Sequence, residues 1–147
     1  MGFKFGWRSE ETLDEIHPDM VRVFRGALQT SRLDFGVING ARTLHAQTDM
    51  VAAGRSLSLN SRHLLKTPQI PIQGGPNDAL WAHAGDIMAY NRQGKPTWDW
   101  GAYAHVSKHV FDAARSQDVE VVWGGHWVNL SDGPHFELSW DKYPIIE

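Results

Sequence analysis

The sequence predicts a small α+β domain in which an antiparallel sheet has helices packed on one side. Its 147 residues suffice for one compact core and fall short of two, so residues 1–147 are expected to form a single catalytic-size domain. The pattern of apolar residues gives helices first, then strand, helix, strand, helix and strands, an order that suits an α+β layout. No repeat, low-complexity tract or linker interrupts it.

Ser9, followed by Glu10 and Glu11, has the form of a helix start with acids in the first turn. Leu13, Ile16, Met20, Val23, Ala27 and Leu28 then recur at helical spacing up to about Thr30. His17-Pro18 divides that run into a short turn of helix and a longer helix beginning near Pro18, with His17 capping or packing rather than ligating. Asp34 to Asn39 reads as a strand ending at Gly40, and Ala41 to Ala53 as a helix closed by Gly54. Ser56 to Ser61 is a polar loop. Lys66 to Trp81, with Pro68, Pro71, Gly74, Gly75 and Pro76, reads as a further loop with room for a short hairpin. Gly85 to Tyr90 is a strand, Asn91 to Pro96 a turn, and Gly101 to Gln117 an amphipathic helix through Tyr103, Val106, Val110 and Ala114. Val119 to Trp123 is a β-branched strand ahead of Gly124-Gly125, and His135 to Trp140 is the last strand.

A net charge of −3 supplies no basic field for nucleic acid or an anionic membrane. No stretch has the length needed to span a bilayer, and Met1 to Arg8 has no apolar run of the signal-peptide kind. The expectation is a monomer made in the cytoplasm. With no cysteine, disulfide frameworks and thiolate metal sites are excluded, which leaves His and carboxylates as the strong ligands. Seven Trp is a high count for this length. Four of them, at positions 98, 100, 123 and 127, flank the last helix, and large aromatics of this kind are expected to fill the core before they line a groove for sugar or peptide.

The chemistry is concentrated in Ser131-Asp-Gly-Pro-His-Phe-Glu-Leu138. Gly133 and Pro134 make a tight turn, so Asp132 and His135 can face one point at the mouth of a strand. Upstream, Ser61-Arg-His63 and His83-Ala-Gly-Asp86 add a His and an Asp beside small or apolar residues. His63, Asp86 and His135 together would make a three-ligand nitrogen and oxygen site. Such a set leaves the fourth position of a catalytic zinc open for water, and Asp132 supplies the unligated carboxylate that a zinc hydrolase uses as general base. Arg42, where a strand turns into a helix, is placed to reach over a cleft and hold a carboxylate in two-pronged fashion.

With these residues in place, the chain resembles the zinc peptidases of the D-alanyl-D-alanine carboxypeptidase type. It is most similar to the phage endolysins that are L-alanyl-D-glutamate endopeptidases. The likeness runs through His17-Pro-Asp-Met20, Asp34 to Thr43, Gln47, Ala53-Gly-Arg-Ser56, Asn60-Ser-Arg-His-Leu64, Gly85-Asp86, Trp123-Gly-Gly125 and Asp132 to Leu138. In that family the motif Ser-x-His-x-x-Gly-x-Ala-x-Asp supplies two ligands, and a closing Asp-x-x-His supplies the base and the third. The resemblance therefore implies zinc held by His63, Asp86 and His135, with Asp132 as base. It also implies that Arg42 holds a substrate carboxylate or carbonyl, with Ser61, Gln47 and His126 beside the substrate.

Two departures stand out. A much longer interval, residues 64–85, separates His63 from Asp86 than the motif allows, and His83 lies nearer to Asp86. Ser61-Arg-His63 carries the match, so His63 is taken as the ligand. His126 stands where many relatives have Asp. The resemblance implies a peptidase that cuts the L-alanyl-D-glutamate bond of peptidoglycan stem peptides, reaching the wall once the membrane is permeabilised. A D,D-carboxypeptidase would share every ligand. A non-catalytic peptidoglycan-binding module would share the metal site but have no use for Asp132.

Overall fold

The structure is a computed structural model that describes residues 2–54, 60–72, 79–129 and 131–146. Helix α1 (Trp7–Leu13) and helix α2 (Pro18–Thr30) meet at His17, whose Nδ1 accepts the Asp19 N–H and caps α2. Strand β1 (Phe35–Asn39) follows, then helix α3 (Leu44–Ala52), which starts three residues later than the apolar pattern suggested because Thr43 caps it through the Ala46 N–H. Gly54 ends it with φ +74°, a left-handed conformation that glycine adopts without penalty. The remaining elements are β2 (Thr67–Pro68), β3 (Ala84–Tyr90), β4 (Pro96–Thr97), helix α4 (Trp100–Ser116), β5 (Val121–Trp123), a 3₁₀ turn at Gly124–His126, β6 (His135–Leu138) and β7 (Ile145–Ile146).

The main sheet runs β1-β3-β6-β5, with β4 on the outer part of β3, and every pairing is antiparallel. Alternation along the strands sorts the two faces. Phe35, Val37, Ile87, Ala89, Phe136, Leu138 and Trp123 are buried in one apolar cluster with Met20, Val23 and Phe24 of α2 and Val106 and Val110 of α4. Gly85 belongs to this face. A Cβ there would stand 2.7 Å from the Phe24 ring, so only glycine lets α2 lie this close to the sheet. Phe24 also meets Phe35 and Phe136 edge-on, at ring separations of 6.5 and 6.2 Å. Helix α3 adds nothing to the apolar cluster, and its buried residue is the polar Gln47.

Three expectations need correction. Of the four tryptophans flanking α4, only Trp123 is buried, while Trp98, Trp100 and Trp127 are exposed. Composition counts aromatic rings but says nothing of where they face. The strand at 135–140 ends at Leu138 and is not the last one, because Ile145–Ile146 pairs with Thr67–Pro68. The segment from Lys66 to Trp81 is accordingly anchored at its base. Lys66 and Trp81 exchange backbone hydrogen bonds at 3.0 and 2.9 Å, and Ile72 is buried. Residues 73–78 of that segment, and residues 56–59 of the polar loop before His63, lie outside the described residues.

Candidate metal centre and active site

Opposite the apolar face, β3 and β6 bring polar side chains together. Asp86 and His135 are paired directly across the two strands. His63 arrives from the segment after the polar loop, which is tied to the end of β1 by the Arg42 N–H donating to the His63 carbonyl at 2.8 Å. The Ser61 hydroxyl accepts the His63 N–H at 3.1 Å and shapes the turn that presents the ring.

The three side chains converge on one point. His63 Nε2 lies 3.2 Å from Asp86 Oδ1 and 3.1 Å from His135 Nδ1, and His135 Nδ1 lies 3.0 Å from the same oxygen. Each ring is fixed from behind. His63 Nδ1 donates to the Gly40 carbonyl at 2.7 Å, and His135 Nε2 donates to Glu137 Oε1 at 2.7 Å. Those bonds consume the ring protons of neutral imidazoles, so both remaining nitrogens offer lone pairs toward the carboxylate oxygen. Three acceptors facing one another at hydrogen-bond distance call for a cation between them. Ligands at about 2.0–2.1 Å around a tetrahedral ion stand roughly 3.3 Å apart, close to the spacing found here. Backing of a ligating histidine by a carbonyl or carboxylate is the usual arrangement at metal sites. His63, Asp86 and His135 are therefore close enough to hold a metal ion.

The electrostatics agree. Burial raises the Asp86 carboxyl, but hydrogen bonds from His135 and His63 outweigh it and hold the group well below the usual carboxylate range. Burial lowers His135, while Asp86 and Glu137 more than reverse this and push it up to about 9.

Asp132 sits on the turn before β6. Its N–H donates to the Gly124 carbonyl at 3.0 Å and its carbonyl accepts the His135 N–H at 3.2 Å. A Cβ on Gly124 would stand 2.5 Å from that Asp132 carbonyl, so glycine is required for the 3₁₀ turn to receive the loop. Burial, then repulsion from Asp86, raises the Asp132 carboxyl, against the pull of His135, His63 and Arg42. A raised, half-buried carboxylate beside a metal site suits proton transfer.

Arg42 lies 3.9 Å from Asp86 Oδ2 and donates to Gln47 Oε1 at 2.8 Å, so buried Gln47 aims the guanidinium along the site. Asn39 donates to the same Asp86 oxygen at 3.3 Å. His126 has its ring stacked on Phe111 of α4 at 5.7 Å and edge-on to Trp123 at 4.9 Å. His83 stands outside the converging group. Its Nδ1 bonds the Trp81 carbonyl, its ring packs 5.3 Å from His17, and burial followed by Arg62 and His17 pushes its pKa down to about 3. Glu137, which the sequence reading did not place behind His135, had a signal available for that position. Positions 135 and 137 are two apart on a strand and so share a face.

A profile of the family described as phage L-alanyl-D-glutamate peptidase matches residues 1–139. The L-alanyl-D-glutamate peptidase of Escherichia phage T5 is 30% identical over 144 residues, covering 97% of this chain and 94% of its own. Among solved structures, the Serratia marcescens L-Ala D-Glu endopeptidase ChiX superposes with a TM-score of 0.78 at 39% identity, covering 95% of this chain and 92% of its own.

Proposed function

The chain belongs to the phage L-alanyl-D-glutamate peptidase family, and from that membership we propose a zinc-dependent endolysin that hydrolyses the L-alanyl-D-glutamate bond of peptidoglycan stem peptides. The observation that carries the reading is the convergence of His63 Nε2, His135 Nδ1 and Asp86 Oδ1, with Asp132 on the same turn as the third ligand. A donor set of two imidazoles and one carboxylate fits zinc and leaves a position open.

When bound, zinc supplies Lewis-acid polarisation of the scissile carbonyl and a water with its pKa lowered to about 7. Asp132 takes the proton of the attacking water and returns it to the leaving amine nitrogen as the C–N bond breaks. Its raised affinity for protons, set by burial and by Asp86, favours that double duty. Arg42, held by Gln47, binds a substrate oxygen and steadies negative charge in the transition state, an effect often worth about 3 kcal/mol per donor. Ser61 supports the first ligand, and His126, whose ring packs on Phe111 and Trp123, is assigned to the substrate by its place in the motif alone.

Among the described residues no helix is long and apolar enough to cross a membrane. The proposal is of a monomer that meets the wall after the membrane has been breached. Mass analysis of digests of purified peptidoglycan tests the activity. New D-glutamyl amino termini are expected. Release of D-alanine would mark a D,D-carboxypeptidase instead, and a zinc-loaded protein that yields no product would be a binding module.

A further inference from the structure

Trp7 and Trp140 are exposed elsewhere, but two of the three exposed tryptophans that flank α4 lie beside the site. Trp127, with Val128 beside it almost fully exposed, lies with its ring 4.9 Å from that of His135. Trp100, at the first turn of α4, leans on Trp123 at 5.5 Å, and a methyl group added to Gly133 would meet its ring at 3.2 Å. Trp98 stacks nearly parallel on Tyr103, 6.1 Å between ring centres, and turns its other face outward. Trp127 and Trp100 thus adjoin the turn that carries Asp132 and His135, and Trp98 extends the aromatic surface away from it. Exposed apolar patches that border a reaction centre mark places where something binds.

We infer that Trp127, Trp100 and Trp98 form a saccharide-binding platform that holds the glycan strand of the wall while its stem peptide is cut. The inference rests on the peptidoglycan reading given above. In that polymer the first residue of the stem peptide is joined to the lactyl group of a muramic acid. The bond after that residue lies roughly two residue lengths, about 7 Å, from the sugar. A metal centre acting there meets the sugar on its doorstep. Flat, rigid indole faces suit the C–H faces of a pyranose ring, offering large contact area at little entropic cost. Between Trp98 and Trp100 the exposed Asp99 adds an acceptor for the hydroxyls and acetamide N–H groups of such a ligand. The platform also gives the domain a hold of its own on the insoluble polymer.

The test compares a synthetic disaccharide-linked stem peptide with the same peptide lacking the sugar, using the zinc-loaded protein. The ratio of kcat/KM for the two substrates should exceed one in the wild type. It should fall by about three- to tenfold in each of Trp127→Ala and Trp100→Ala, mostly through KM. Trp98→Ala, whose ring touches neither the ligands nor the turn, should lower the ratio less, and it keeps the test decisive if Trp127→Ala loses zinc. Binding of the disaccharide alone, followed by quenching of tryptophan fluorescence, needs no turnover. Quenching that the variants lose supports the platform even if the cleaved bond proves to be a different one. An unchanged ratio in all three variants, or no quenching by the disaccharide, overturns it. Equal losses on both substrates would assign the rings to the peptide and overturn it too.

Discussion

Glu137 is where the candidate metal site is most open to a graded test. Its carboxylate is buried and accepts the His135 Nε2–H at 2.7 Å, a charge-assisted bond of the stronger kind. Glu137→Gln keeps an acceptor oxygen at nearly the same place but removes the charge, roughly halving that bond. Loss of such backing groups costs metal affinity by about 10–100-fold, or roughly 1.4–2.7 kcal/mol. The glutamine variant is expected near the lower figure. Glu137→Ala leaves a buried N–H without an acceptor, which adds about 1–3 kcal/mol and frees the ring to change tautomer, so the upper figure applies. Competition with a chromogenic chelator at fixed pH measures the affinities. Melting in EDTA guards against a general loss of fold, since Glu137 also counters the buried charge of Arg62. If both variants bind zinc within about twofold of the wild type, the backing argument fails.

Other outcomes follow from the same geometry. His63→Ala, Asp86→Ala and His135→Ala should each abolish stoichiometric zinc and lysis, whereas His83→Ala should keep the metal; zinc analysis after gel filtration decides, and the reverse pattern would reassign the first ligand. Asp132→Asn should retain zinc and fold but lose about 10²–10⁴-fold in kcat with little change in KM, and near-normal turnover would move the base elsewhere. His83 is held neutral by burial, with a folded pKa of about 3 against about 6.5 unfolded, so its contribution to stability is complete above pH 6.5 and declines as pH falls toward 3. Urea midpoints of the metal-free protein at pH 7, 5.5 and 4.5 should therefore drop less steeply in His83→Gln than in the wild type. Phe24→Ala should cost about 3–5 kcal/mol in chemical denaturation, since the ring spans β1, β3 and β6.

The elements that were legible are those whose signal is local. The break at His17-Pro18, the stretch from Phe35 to Asn39 and the amphipathic run of α4 are written in spacing and turn chemistry, and they came out within a residue or two. The convergence of His63, Asp86 and His135 was legible because each sits in a recognisable motif. What escaped depends on distant partners. The Gly40 carbonyl that orients His63 has no side chain to announce it, and β7 exists because Thr67–Pro68 offers it an edge. Arg62 looked like the spacer of a motif. In the fold it is buried, donates to the carbonyls of Leu138, Ser139 and Tyr143, and lies 4.1 Å from the Trp140 ring, bolting the first-ligand segment to the far end of β6.

The direct pairing of Asp86 with His135 across β3 and β6 also bears on how the protein reaches its native state. A slip of one residue between these strands would send His135 and Glu137 to the helix side and bring Phe136 out, exchanging the two faces of the sheet. A metal ion held by Asp86 and His135 would bind only when the strands are aligned correctly, and so would reward one pairing among several that the backbone alone would tolerate. Zinc held there would act as a proofreader of strand alignment before it ever met a substrate. Chains refolded with it present should return to the native state in higher yield than chains given the metal afterwards.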